Sequence, residues 1–201
     1  MWWLILCALG VVAFLIWAFC VARKLNALHT KVLKSRKALE LALIVRAQKA
    51  EEMASSGALD IASAVLLQAA AHDALTYAQL PIVDDGLDAF INIALPPASE
   101  LAGKERSDIA ENPAGVRLAV ESELSRTLRL TIDDLASTDF TPAQEQIYKS
   151  LQRSRENIRL TRAFHNLHVS QARRVHRKRL TRLFHLAGNA PSPHTVDIDD
   201  R

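Results

Sequence analysis

Histidines gather towards the end of the sequence: His165 and His168 lie three residues apart, and His176 and His185 follow. On a helix two imidazoles at that spacing share a face, and they can hold a metal ion if a third ligand comes from another helix. Asp73 or His72 would have to supply it. Carboxylates are nearly absent around those histidines, which favours packed or solvated imidazoles over a metal site. Asp84, Asp85 and Asp88 form an acidic turn. The spaced oxygens and distal glutamate of a calcium loop are missing there, so helix capping and solvation are the expected roles. The chain carries no glycine-rich phosphate loop and no nucleophile elbow, and Cys7 and Cys20, its two cysteines, both sit in an apolar opening. The expectation is a protein that is not an enzyme and has no cofactor, metal or catalytic residue to assign. A metal-dependent enzyme is the low-ranking alternative.

The strongest charge signal is the run over 173–182, where Arg173, Arg174, Arg177, Lys178, Arg179 and Arg182 crowd around His176. Such a run can grip nucleic-acid phosphates or anionic lipid headgroups, each basic group near a membrane contributing about 1 kcal/mol. A solvated basic face, offset by acidic residues elsewhere, carries comparable weight. Charge is in fact segregated: the net value of +3 hides a basic last third and an acidic middle. Asn166, between Phe164 and Leu167, is either a buried amide that sets the register of neighbouring helices or an exposed polar residue.

What must position these groups is mostly helix. Of the first 22 residues 21 are hydrophobic, with Gly10 the exception. In helical form they reach about 33 Å, enough for one crossing of a hydrocarbon core about 30 Å thick. Trp2 and Trp3 suit one headgroup boundary, and Arg23 and Lys24 mark the other. A cleaved signal would open on basic residues and close on a small-x-small site; Cys20-Val21-Ala22 is a poor version of one, so an uncleaved anchor is expected. Residues 23–37 hold Arg23, Lys24, Lys31, Lys34, Arg36 and Lys37 and no acid. By the positive-inside rule the N-terminus lies outside and the body lies in the cytoplasm beneath the inner membrane.

No Gly or Pro occurs from Val11 to Ser56, so the membrane helix can continue unbroken into the body. Leu25, Leu28, Val32, Ser35, Leu39, Ala42, Arg46 and Met53 make its packing stripe. A second helix is expected over 60–79, a third over 112–135 with Pro113 in its first turn, and an irregular segment over about 81–112. Thr141, Pro142 and Gln144 open a fourth, with a capping hydroxyl, Pro at the first position and Gln at the third. It meets no Gly or Pro before Gly188. The chain thus divides into an anchor over 1–22, a helical body over 23–188 and an extended acidic tail over 189–201. The fold class is all-α: a transmembrane helix continuing into an elongated antiparallel bundle of three to four long helices.

Two stretches resemble the bacterial LemA family. In 38–46 an apolar-acidic pair, Leu39-Glu40, precedes Leu43 and Arg46; in 162–169 the residues Arg162, His165, Asn166 and Val169 sit in the register of the family's last-helix motif, with His where the family has Tyr. The end of the chain, with Pro191, Pro193 and closing acids, is also similar. The likeness covers both ends, leaves 81–140 unmatched, and fits a divergent member. The resemblance implies a single-pass, membrane-anchored helical protein with a short exterior N-terminus, and brings no established activity. The expected role is a scaffold or adaptor whose partners are the bilayer and another protein or a second copy, with anionic lipid possible and nucleic acid less favoured.

Overall fold

The computed structural model describes residues 2–87, 111–133, 135, 140–177 and 192–198. Among them lie four α-helices and no strand: α1 (Trp2–Ala54), α2 (Ile61–Thr76), α3 (Pro113–Ile132) and α4 (Pro142–His176), with a 3-10 turn at Tyr77–Gln79. The 53 residues of α1 give a single rod of about 80 Å at 1.5 Å per residue. Its first part is apolar and exposed, long enough and apolar enough to cross a membrane. Burial begins at Leu25 and continues through Leu28, Val32, Arg36, Leu39, Leu43, Arg46, Ala50 and Met53. The three-four spacing places these residues on one stripe. Arg36 is buried on it, whereas the neighbouring Ser35, expected there, is only half-buried.

The turn after α1 ends at Gly57, whose φ of +71° is open to glycine at little cost. The carboxylate of Asp60 accepts from the Ser63 N–H and starts α2. In α4 the sequence's start signal is realised in full: Thr141 accepts from the Gln144 N–H while the Gln144 side chain accepts from the Thr141 N–H. The helix runs to His176 with Arg177 as its cap; residues 178–188, where its continuation is expected, lie outside the described residues, as do 88–110 of the irregular segment.

α1 packs chiefly on α4 and on α2, and α2 on α3. Met53 shares a core with Leu151, Leu39 with Ile158, and Leu25 and Leu28 with Val169, Ala172 and Val175. Numbers rise on one helix as they fall on the other, so α1 and α4 are antiparallel. The result is three apolar layers stacked along α1. The layer farthest from the apolar opening joins Ala47, Ala50 and Met53 to Leu67, Ala71, Leu124, Leu128 and Leu151. The middle layer joins Leu39 and Leu43 to Ile82, Val83 and Ile158. It also contains Val196 and Ile198, which are 1% and 2% exposed. The tail is therefore extended, as its prolines suggest, but it is not left in solvent. Each apolar side chain so buried contributes about 1.5–3 kcal/mol, and two β-branched ones hold this segment down.

Candidate functional site

Between the apolar layers lie two buried ionic ones. In the first, Glu121 of α3 is ion-paired with two arginines: it accepts a hydrogen bond from Arg46 Nη2 at 2.6 Å, and Arg117 Nη2 lies 2.5 Å from its other oxygen. Arg46 also donates to Ser125 Oγ at 2.7 Å and to the Glu121 carbonyl, and Arg117 donates to the Ala74 carbonyl at 2.7 Å. Burial lowers the pKa of Arg117 and Glu121 opposes that shift; a guanidinium stays charged regardless. Every group here sits on α1, α2 or α3, so this layer locks helix to helix.

The second layer, nearer the apolar opening, is assembled differently. Arg36 of α1 pairs with Asp85, which belongs to the non-helical stretch after the 3-10 turn. The other Asp85 oxygen accepts from the Leu87 N–H at 3.2 Å, and the Arg36-bonded one also accepts from the His194 N–H at 3.2 Å. One carboxylate thus ties α1, its own loop and the tail together. Beside it His165 is fully buried, with Nδ1 3.1 Å from Ser35 Oγ. Burial, and then the nearby Arg36 charge, push its pKa down to about 4. The imidazole is consequently neutral at physiological pH. Closer to the apolar opening, His29 and His176 meet Nε2 to Nε2 at 2.9 Å with rings stacked 5.1 Å apart. Burial lowers both pKa values, and His176 lowers that of His29 further.

The tail lies along α4 and is held by side chains that read its main chain. Arg173 Nε donates to the Pro193 carbonyl at 2.8 Å. The Asn166 amide forms a pair with Val196, donating to its carbonyl at 3.0 Å and accepting from its N–H at 2.9 Å. Arg162 Nη1 donates to the Ile198 carbonyl at 2.9 Å. Asn166 is half-buried and both of its amide bonds go to the tail; helix is tied to helix at the Arg46–Glu121–Arg117 layer instead. The motif residues of α4 divide between two faces: His165 and Val169 turn to α1, Arg162 and Asn166 to the tail.

Of the basic residues singled out from sequence, Arg23 and Lys24 are exposed on α1, with Arg23 lying 5.7 Å from the Phe19 ring centroid. Arg174 and Arg177 are exposed at the end of α4 beside the Leu25–Leu28 level of α1, so the two basic ends do converge. Arg173 is half-buried and engaged with the tail. Lys178, Arg179 and Arg182 lie outside the described residues. In the acidic turn Asp85 is not solvated but buried against Arg36, Asp84 is exposed as expected, and Asp88 lies outside the described residues. His72 and Asp73 are exposed on α2 next to Ala74, which is at the Arg46 level, whereas His165 is at the Ser35 level. Eleven residues of α1 separate those levels, about 16 Å, so the suggested metal ligands are not brought together. Among the described residues no group of three or more His, Cys, Asp or Glu side chains is placed to hold a metal.

Sequence reasoning missed the Arg36–Asp85 and Arg46–Glu121 pairs and the His29–His176 contact. The one available signal was an arginine recurring on the α1 packing stripe, at 36 and 46, where burial demands a partner. No family model, no curated protein and no solved structure matches the chain.

Proposed function

We propose that the chain is a single-pass membrane-anchored helical scaffold or adaptor, similar to the LemA proteins, with its N-terminus outside and its bundle in the cytoplasm beneath the inner membrane of a bacterium. The observation that carries the reading is the continuity of α1. One unbroken helix is apolar from Trp2 to Ala22, largely exposed there, and becomes the central packing stripe of the bundle from Leu25 onward. An anchor rigidly joined to a bundle holds that bundle at a set distance and orientation from the bilayer. The exposed Arg23, Lys24, Lys31 and Lys34 of α1 and Arg174 and Arg177 of α4 support the orientation, since they gather at the bilayer end, where anionic headgroups attract them. The buried charges of the bundle interior are paired with one another, Arg36 with Asp85 and Arg46 and Arg117 with Glu121, which favours a structural and binding role.

Protease treatment of spheroplasts tests the topology: a C-terminal tag is protected while the inner membrane is intact and cut after lysis. Cleavage in intact spheroplasts would reverse the orientation. Crosslinking in cells, followed by identification of neighbours, tests the adaptor role, and recovery of the chain alone under conditions that crosslink known membrane complexes would count against it. The convergent basic ends favour a second reading, direct binding of an anionic surface. Lipid is preferred to nucleic acid, because those ends lie at the base of the anchor. The purified chain should bind vesicles containing anionic lipid in a salt-sensitive manner, and neutralising Arg174 and Arg177 should weaken that binding.

A further inference from the structure

Arg162, Asn166 and Arg173 are spaced by four and seven residues on α4, so their side chains leave the helix within about 40° of one another at 100° per residue. They meet Ile198, Val196 and Pro193 respectively, spaced by two and three residues on an extended segment running antiparallel to the helix. The spacings are commensurate. Seven helical residues rise about 10.5 Å and three extended ones about 10 Å; four helical residues rise about 6 Å and two extended ones about 6.6 Å. The helix face is therefore a ruler for extended chain. Five polar contacts reach the segment's main chain: those from Arg162 and Arg173, two from Asn166, and the one from Asp85 to the His194 N–H. Such contacts read backbone and leave side-chain identity to the sockets. Pro193, Val196 and Ile198 fill those sockets, Thr195 is exposed, and Asp197, fully exposed, lies 3.7 Å from Arg162 at the rim.

We propose that this face of α4, with the Leu39–Ile82–Ile158 layer as its floor, is a docking groove for an extended segment of the pattern Pro-x-x-Val-x-Ile presented by a partner protein, and that residues 192–198 occupy it in cis as a displaceable strap. The occupant's chemistry is stated by the segment seated there: main-chain donors and acceptors free to pair, β-branched apolar residues at alternate positions, and a proline three residues ahead. A tethered segment competes at an effective concentration that reaches the millimolar range for short connections. A foreign segment therefore gains access when the strap is unseated. The proposal deepens the adaptor reading and rests on it only for the existence of a partner. Peptide binding by the purified chain is independent of membrane topology, so the two can fail separately.

The test uses the full chain in detergent micelles and a fluorescent peptide carrying residues 191–201. In the chain with V196D and I198D the strap loses both apolar anchors and the groove is vacated. That variant should bind the peptide at least tenfold more tightly than the unaltered chain does, and adding Asn166→Ala should weaken the binding at least tenfold. A peptide bearing the same two aspartates should not bind. Equal affinity of the two chains, or no binding by a variant that keeps its helical circular dichroism, overturns the proposal. If the variant unfolds, hydrogen exchange on the unaltered chain decides: excess peptide must accelerate exchange at the Val196 amide, and unchanged protection overturns the proposal. Exchange of tails between two copies, seen as a dimer that V196D and I198D abolish, would overturn the assignment to a foreign segment.

Discussion

The two buried ionic layers use the same chemistry, an arginine of α1 against a carboxylate, in opposite ways. At the Arg46 layer the carboxylate is on a helix and is shared by a second arginine, so all participants are held by regular hydrogen-bonded backbone. At the Arg36 layer the carboxylate is on a loop, and its remaining acceptor capacity goes to main-chain N–H groups of Leu87 and His194. The first layer couples elements that would be helical in any case. The second gives conformation to two segments, 80–87 and 192–198, that have no regular structure of their own. A buried pair between helices acts as a register pin, whereas a buried pair between a helix and irregular chain acts as a latch.

The largest expected effect breaks the pin. Glu121→Ala leaves two buried arginines without their carboxylate and should lower global stability by about 3–5 kcal/mol, read as a fall in the midpoint of chemical or thermal unfolding. Asp85→Ala removes a buried partner too, but its signature should be local. Proteolysis and hydrogen exchange should report early release of 192–198 and 80–87 while helical signal persists. Simultaneous loss of both signals in the two variants would erase the distinction between pin and latch.

A sharper comparison replaces each layer by apolar residues. R46M, R117M and E121L together should be neutral or stabilising by about 1–4 kcal/mol, because the desolvation of three charges disappears with their attraction. The pair R36M and D85L should still release the tail, since the N–H groups of Leu87 and His194 lose their acceptor. Equal tail protection in the two chains would contradict this.

Proton titration should act on the second layer. His165 binds a proton less readily folded, where its pKa is about 4, than unfolded, where it is about 6.5. The stability this contributes is fully present above about pH 6.5 and is lost as pH falls through that window towards 4, by up to about 1.4 kcal/mol per pH unit. The groups facing it, Ser35, Arg36, Asp85 and the His194 backbone, predict that the tail responds with it. His165→Gln should flatten the slope between pH 6.5 and 4.5 in thermal unfolding, and an unchanged slope would remove His165 from the account. The smallest effect belongs to the surface: breaking the exposed Lys149–Glu145 pair with Glu145→Gln should change stability by less than about 0.5 kcal/mol.

Much of this architecture was legible in local rules. The absence of Gly and Pro between Val11 and Ser56 allowed one long helix, the Thr141-Pro142-x-Gln144 start is realised bond for bond, and the three-four stripe of α1 is, Ser35 apart, the buried one. These features depend on backbone hydrogen bonding and on a period of 3.6 residues, which neighbouring residues decide among themselves. The site was less legible. That Asp85 meets Arg36 across 49 positions, that Asn166 grips Val196 across 30, and that His29 stacks on His176 across 147 depends on how far α4 slides along α1. Periodicity leaves that slide undetermined, because a helix shifted by a turn presents an equally apolar stripe.

The tail is the clearest instance. Its prolines and acids describe a chain that forms no helix, and by sequence alone such a chain belongs in solvent. Its burial follows from two alternate β-branched residues that find an apolar floor, and from helix and strand rises that match over the span of Arg173, Asn166 and Arg162. The sequence by itself determined an apolar, membrane-length opening and the helices that follow it, since length, composition and caps act locally. Only the tertiary structure decided which charges are buried, which histidine is kept neutral and where the tail lies, because each depends on partners that meet only after α1 and α4 have taken their register.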